Sequence, residues 1–385
     1  MAAMTEFVDR EEILSHLVNS IETKRRNVNY ALVGPRQIGK TSILREVVRI
    51  LGDKAIVVHL DFSIHRYSPE DFSRSLMQSL TGVYARRAGG IKKLVSRVLN
   101  IFQGLKDLRR LRFSLSIELD SQGRPQLSLK PEIAEKRIKE KELIELAFAY
   151  ATKVAEEAGT RVVVIIDEFQ HLAEFASYPG LKGILDIFRH ALDERGNVSY
   201  IVSGSRIHFV TNILSDGKSP LFGRFTIIQV GELEEKYALE LYMKARPKPS
   251  SKEARAAYSL VGGHPFYLLA MAENRRENER PEETYKRLLS DPTGALNLYA
   301  RYIIAEDLGT HAKSRQSRFL KILHALKKGP LSVSEVSKQT TIALTSLPWY
   351  LQQLISYDLV IKREDGYYVR ERVLRDYLIG IQNDI

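Results

Sequence analysis

Gly34-Pro35-Arg36-Gln37-Ile38-Gly39-Lys40-Thr41 fits the pattern GxxxxGK[ST] without a mismatch. Gly34 and Gly39 permit backbone angles that a side chain would forbid, so successive N–H groups can turn inward toward anionic oxygens. Lys40 would reach β- and γ-phosphates, and the Thr41 hydroxyl would hold Mg2+. The flanks agree with this reading. Tyr30-Ala31-Leu32-Val33 reads as a buried strand, and Ile43, Leu44, Val47, Val48 and Leu51 keep helical spacing. Strand, glycine loop and helix is the arrangement the chemistry requires, and a helix N-terminus adds its own attraction for anions. The stretch is a nucleotide site.

A second stretch fits the first. Val162 to Ile166 are five consecutive branched apolar residues, which implies burial on both faces, as in a parallel sheet. The run ends in Asp167 and Glu168. Asp167 would hold a water on the Mg2+ set by Thr41, and Glu168 would orient an attacking water. Residues 55–62, 197–202 and 225–230 read as further strands. Ser203, at the end of the fourth, is either a sensor of the γ-phosphate or an ordinary turn residue. Helices alternating with these strands make the class α/β.

Composition bounds the rest. A chain of 385 residues exceeds what one core usually serves. The expected division is a core of residues 1–231, a helical lid of 232–310 and a C-terminal unit of 311–385. No apolar run is long enough to span a bilayer and no signal-peptide core opens the chain, so a cytoplasmic protein is expected. Cysteine is absent, which excludes thiolate metal sites, and the nine histidines show no spacing such as HExxH. The net charge of +11 permits nucleic acid or an acidic surface as partner.

Much of that charge is local. Arg86 to Arg112 holds nine basic residues against one acidic, a surplus of eight, with apolar residues between them at helical spacing. This basic helix is either a solvated face over a buried stripe or a contact for a polyanion or protein partner. Alternating residues 113–119 and 125–129 around a Gly-containing turn predict a β-hairpin, and a long helix is expected from about Pro131 to Ala158. Together these look like an insertion over about residues 82–131. At the far end, helices near 319–326, 332–338 and 343–357 precede a hairpin turning at Glu364-Asp365-Gly366, which makes a winged helix-turn-helix. Its third helix, Ala343 to Tyr357, carries no Lys or Arg, a mark against specific DNA reading.

Taken together, FVDREEIL, GPRQIGKTS, VVVIIDEFQ, PLFGR and VGGHPFYL resemble AAA+ type ATPases, and more closely the archaeal ATPase family related to the signal-transducing STAND NTPases. The resemblance implies ATP or ADP with Mg2+, a P-loop parallel sheet in the order 5-1-4-3-2, and nucleotide at the strand ends beside the lid. It extends the site to Ser42, puts Phe7 and Arg10 near the adenine, and closes His264-Pro265 over the nucleotide. Arg224 stands where such proteins often carry an arginine finger, or forms an ion pair at the strand entry. Arg275 and Arg276 come too late after the Gly-His-Pro turn to be assigned as a second-sensor arginine, which favours a nucleotide-gated switch over a ring motor. Weakly sequence-specific DNA, a protein partner and self-association are all compatible with the chain.

Overall fold

The computed structural model describes residues 8–23, 27–65, 67–87, 111–119, 125–133, 139–194, 196–245, 247–309 and 311–380. Phe7 and the centre of the basic stretch, residues 88–110, lie outside these.

Five short apolar runs form the central sheet: β1 (Tyr30–Val33), β2 (Ile56–Asp61), β5 (Val162–Asp167), β6 (Val198–Gly204) and β7 (Thr226–Gln229). All pairings between them are parallel, in the order β2-β5-β6-β1-β7. Read from the other edge and counted as core strands, this is the expected 5-1-4-3-2. Alternation along each strand builds two cores. Ala31, Val58, Val164 and Val202 face the helices Pro69–Arg87, Glu140–Ala158 and Ile184–Asp193. Leu32, Val57, Val163, Ile165 and Ile201 face the helices Glu11–Thr23 and Lys40–Leu51.

Parallel strands share one polar end. The register sets Val33 beside Gly204 and Asp61 beside Asp167, so the phosphate loop, both carboxylates and the end of β6 crowd one rim. Ligands of open α/β sheets bind at such a rim.

β3 (Leu111–Leu119) and β4 (Pro125–Ile133) form the expected antiparallel hairpin, longer than its alternating core suggested. The next helix starts at Glu140 and not near Pro131. Pro131 pairs with Phe113 in a two-stranded ribbon, where each strand is an edge and a missing N–H is tolerated. Glu140 and Glu142 in the first turn suit the helix start electrostatically.

Beyond Val230 a third core runs unbroken from Leu233 to Leu378. It joins five helices between Glu235 and Leu308 to the helices Lys313–Leu326, Val333–Thr340 and Leu347–Ser356, the hairpin β8 (Val360–Arg363) and β9 (Gly366–Val369), and the last helix Arg372–Gly380. Thr341 ends the second of these final helices, with φ of 60°, and the third begins at Leu347 and not at Ala343. Polar ties reinforce the apolar ones: the Tyr285 hydroxyl donates to Asp376 at 2.8 Å and Arg372 to the Ser259 carbonyl at 3.2 Å.

Candidate functional site

The two loop glycines are needed for different reasons. Gly39 has φ of 104°, which side chains rarely adopt. Gly34 is not strained in that way. A Cβ there would lie 2.2 Å from the Val230 carbonyl oxygen, so glycine is required because β7's exit passes against the loop. Gln37, between them, also takes a left-handed φ of 55°.

Inside this turn Lys40 is buried, its Nζ donating to the carbonyls of Gly34 at 2.9 Å and Pro35 at 2.8 Å. Burial lowers its pKa, opposed by the charges of Glu168 and Asp167. Ile38 is fully buried and fastens the loop to the core, while Ser42 follows on the helix. Thr41 Oγ1 donates to Asp167 Oδ2 at 2.7 Å, and the Ser203 hydroxyl donates to Asp167 Oδ1. Burial pushes the Asp167 carboxyl up, but His59, Ser203 and Thr41 together hold it below its ordinary range. His59 Nε2 stands 3.5 Å from Oδ2, long for a hydrogen bond. Lys40, Thr41, Asp167 and Ser203 therefore converge.

Glu168 is held differently. Its backbone has φ of 59°, a conformation that costs a non-glycine residue about 1 kcal/mol or more and clusters at functional sites. Oε2 accepts from the Ser205 amide at 3.1 Å, the Ser205 hydroxyl at 2.7 Å and Gln170 Nε2. The carboxylate is thus turned toward the end of β6. Ser205 and Gln170 were missed in the sequence because neither belongs to a recognised spacing.

Arg36 is the loop's link to the rest of the chain. It forms a bidentate pair with Asp307, both bonds 2.7 Å, and its Nε lies 3.5 Å from Glu306. Burial alone would lower the guanidinium, but the Asp307 hydrogen bonds and charge, then Glu306 and Glu168, carry it above its ordinary value. Arg206, just past β6, reaches Asp307 at 3.7 Å and Glu174 at 2.8 Å, and lies 5.7 Å from the centre of the Tyr357 ring. Beside it, Asp358 accepts from His208 and from Arg370. A cavity of only about 10 Å³ remains between loop and C-terminal unit, lined by Pro35, Arg36, Ser205, Tyr357, Asp358 and Glu371.

His264 ends the Gly-His-Pro turn, and Pro265 opens the helix Pro265–Asn274. Its Nε2 lies 3.1 Å from the Arg36 carbonyl, so Nε2 carries the proton and donates. The ring stacks on Tyr267 at 4.0 Å, and the Tyr267 hydroxyl donates to Glu371 at 2.5 Å. Burial pushes the His264 pKa down to about 4, against the pull of the Arg36 carbonyl. Arg10 donates to the Gly231 carbonyl, next to the Val230 that Gly34 touches. Arg224 is not brought to the loop of its own chain. It precedes β7 at the opposite end of the strands and pairs with Asp193 at 3.1 Å.

The family described as an ATPase domain predominantly from Archaea matches residues 7–271, well over half of the chain. The chain belongs to this family. It is accordingly an ATP-hydrolysing enzyme. This ATPase is similar to a Walker-type ATPase of Pyrococcus abyssi at 20% identity, over 97% of this chain and 96% of that one, with a TM-score of 0.65. It is also similar to the ORC2 protein of Aeropyrum pernix in ADPNP–ADP complexes, at 9% identity over 96% and 92%, with a TM-score of 0.52. At such identities the likeness concerns the fold. No curated protein matches the ATPase. Among its described residues no helix is long and apolar enough to cross a membrane.

Proposed function

We propose that this ATPase is a nucleotide-dependent switch, in which occupancy of the phosphate loop sets the position of the lid and C-terminal unit. The observation that carries it is the Arg36–Asp307 pair. A residue of the phosphate loop itself is tied to a buried carboxylate outside the sheet, and Arg206 ties the end of β6 to the same group. Phosphate chemistry at the loop thereby acts on the rest of the chain through contact. Lys40 binds the β- and γ-phosphates, and Ser203 senses the γ-phosphate through the Asp167 carboxylate it already touches. Thr41 and Asp167 suit a hard divalent cation, since both offer oxygen and already meet. Bound there, Mg2+ would neutralise phosphate charge. Glu168 orients the attacking water once it leaves Ser205. Arg10 and His264 flank the nucleotide, and Arg224, exposed at the far end of the sheet, suits a phosphate on a neighbouring copy.

The C-terminal helices and hairpin have the order of a winged helix, and we read them as the output. Leu344 and Trp349 are exposed on the third helix and its approach, with no cation among residues 343–357. That favours a protein partner for this unit. The basic residues 86–112 supply the contact for DNA, if any is bound.

Limited proteolysis tests the switch. Mg-ATP should change the cleavage pattern beyond Gly231 in the native protein and leave Lys40→Ala unchanged. Identical patterns with and without nucleotide, at saturation verified by calorimetry, overturn the proposal.

A further inference from the structure

Period-two alternation puts His59 and Asp61 on the same face of β2, and the parallel register pairs Asp61 with Asp167 on β5. That face is the one against which the helix Lys40–Leu51 packs, with Thr41 at its start. One ligand atom from each of His59, Asp61 and Asp167 lies within 4.8 Å of the other two. Asp61 and Asp167 are buried. His59 Nε2 is shielded from solvent and has no hydrogen-bond partner. A buried imidazole nitrogen left unpaired is costly, and the mechanism derived above does not use it.

The spacing explains it. His59 Nε2 and Asp167 Oδ2 are 3.5 Å apart, long for a hydrogen bond. Two ligands at about 2.1 Å from a tetrahedral cation stand about 3.4 Å from one another. Both carboxylates are already oriented by outer partners. Asp61 Oδ1 accepts from the Ser63 amide at 2.8 Å and the Ser63 hydroxyl, and Asp167 Oδ1 accepts from Ser203. Ligands of metal sites are held by such second contacts.

We propose that His59, Asp61 and Asp167 form a divalent-cation site that takes the ion before nucleotide arrives and selects ions that accept imidazole. It rests on the reading of Asp167 as a metal-holding residue and deepens it. Mg2+ favours oxygen ligands and keeps its waters, whereas imidazole suits zinc and its first-row neighbours. In nucleotide-free protein the order of affinity is therefore Zn2+ above Mn2+ above Mg2+.

Calorimetric titration of metal-stripped, nucleotide-free protein with each chloride is the test. The native protein should bind one Zn2+ and one Mn2+. His59→Gln should weaken Zn2+ by about tenfold or more, since losing even an outer partner costs that much, while Mg2+ changes little. Asp61→Asn should weaken all three, and circular dichroism verifies that each variant folds. Absence of Zn2+ and Mn2+ binding in the native protein overturns the proposal, as does equal Zn2+ affinity in His59→Gln, which would assign the ion to other histidines. Neither result touches the Asp167 reading itself. That reading fails separately, if Asp167→Asn hydrolyses Mg-ATP at the native rate.

Discussion

Replacing Asp307 with Asn removes one charge from the bond between phosphate loop and lid while keeping its shape. The Asp307 side chain has no exposed surface and that of Arg36 retains 13%, so both charges have left water. Removing one partner from such a pair costs roughly 3–5 kcal/mol, most of it the price of the charge left behind. The amide keeps one hydrogen bond, and Glu306 at 3.5 Å still faces the guanidinium, so the lower end applies. About 3 kcal/mol of differential stabilisation corresponds to roughly a hundredfold shift between closed and open forms. Release of a fluorescent ADP analogue, followed by stopped flow, should therefore accelerate by up to about a hundredfold. Thermal melting is recorded beside it, because a buried pair also supports the fold. A lowered melting temperature with release unchanged within about twofold would refute the gating argument, since the energy would then be structural only.

Glu168→Gln should bind Mg-ATP with native affinity and lose turnover by about a hundredfold or more, the usual contribution of a positioned base; single-turnover kinetics showing equal rates removes Glu168 from the chemistry. His264 gives a pH signature. Its pKa lies at about 4 in the fold and 6.5 as the ordinary value, so the unfolded chain binds the extra proton between those limits. Stability should therefore fall as pH drops from 6.5 toward 4, by up to ~3 kcal/mol, and denaturant titrations of His264→Gln should show a flatter slope over that window. If DNA is bound, Lys92, Lys93 and Arg97 to Gln should flatten the dependence of log affinity on log salt by about one unit per lost phosphate contact, while Gln352→Ala changes little. A large effect of Gln352 with loss of sequence preference would mean that the third helix reads bases.

The sheet was legible because local composition dictates it: uninterrupted apolar runs at 30–33 and 162–166, the second wholly β-branched, have few alternatives to a buried parallel strand. Lys40, Thr41 and Asp167 followed, since the rim of such a sheet gathers strand ends automatically. Arg36 and Asp307 could not be paired in advance. They stand 271 residues apart, and nothing local distinguishes Asp307 from other acidic residues on a helix. The turn of Glu168 toward Ser205 depends on a backbone angle that no spacing encodes. His59 belongs to no helical metal spacing, because its partners lie two residues along one strand and across to the next. Pro131 misled in the opposite direction, by resembling a helix start within a charged stretch that pairs as a ribbon edge.

The undivided core from Leu233 to Leu378 bears on how this chain can vary. Phe319, Leu351 and Leu374 pack in the same interior as Leu268 and Leu296, so a cut near residue 310 passes through the middle of a packed body. An output unit joined by a flexible tether could be traded for another by recombination, with the hydrolytic machinery untouched. Here an exchanged C-terminal end must also refill the cavities it leaves around the helices before it, so exposed positions such as Leu344 and Trp349 can change more readily than the unit can be replaced whole.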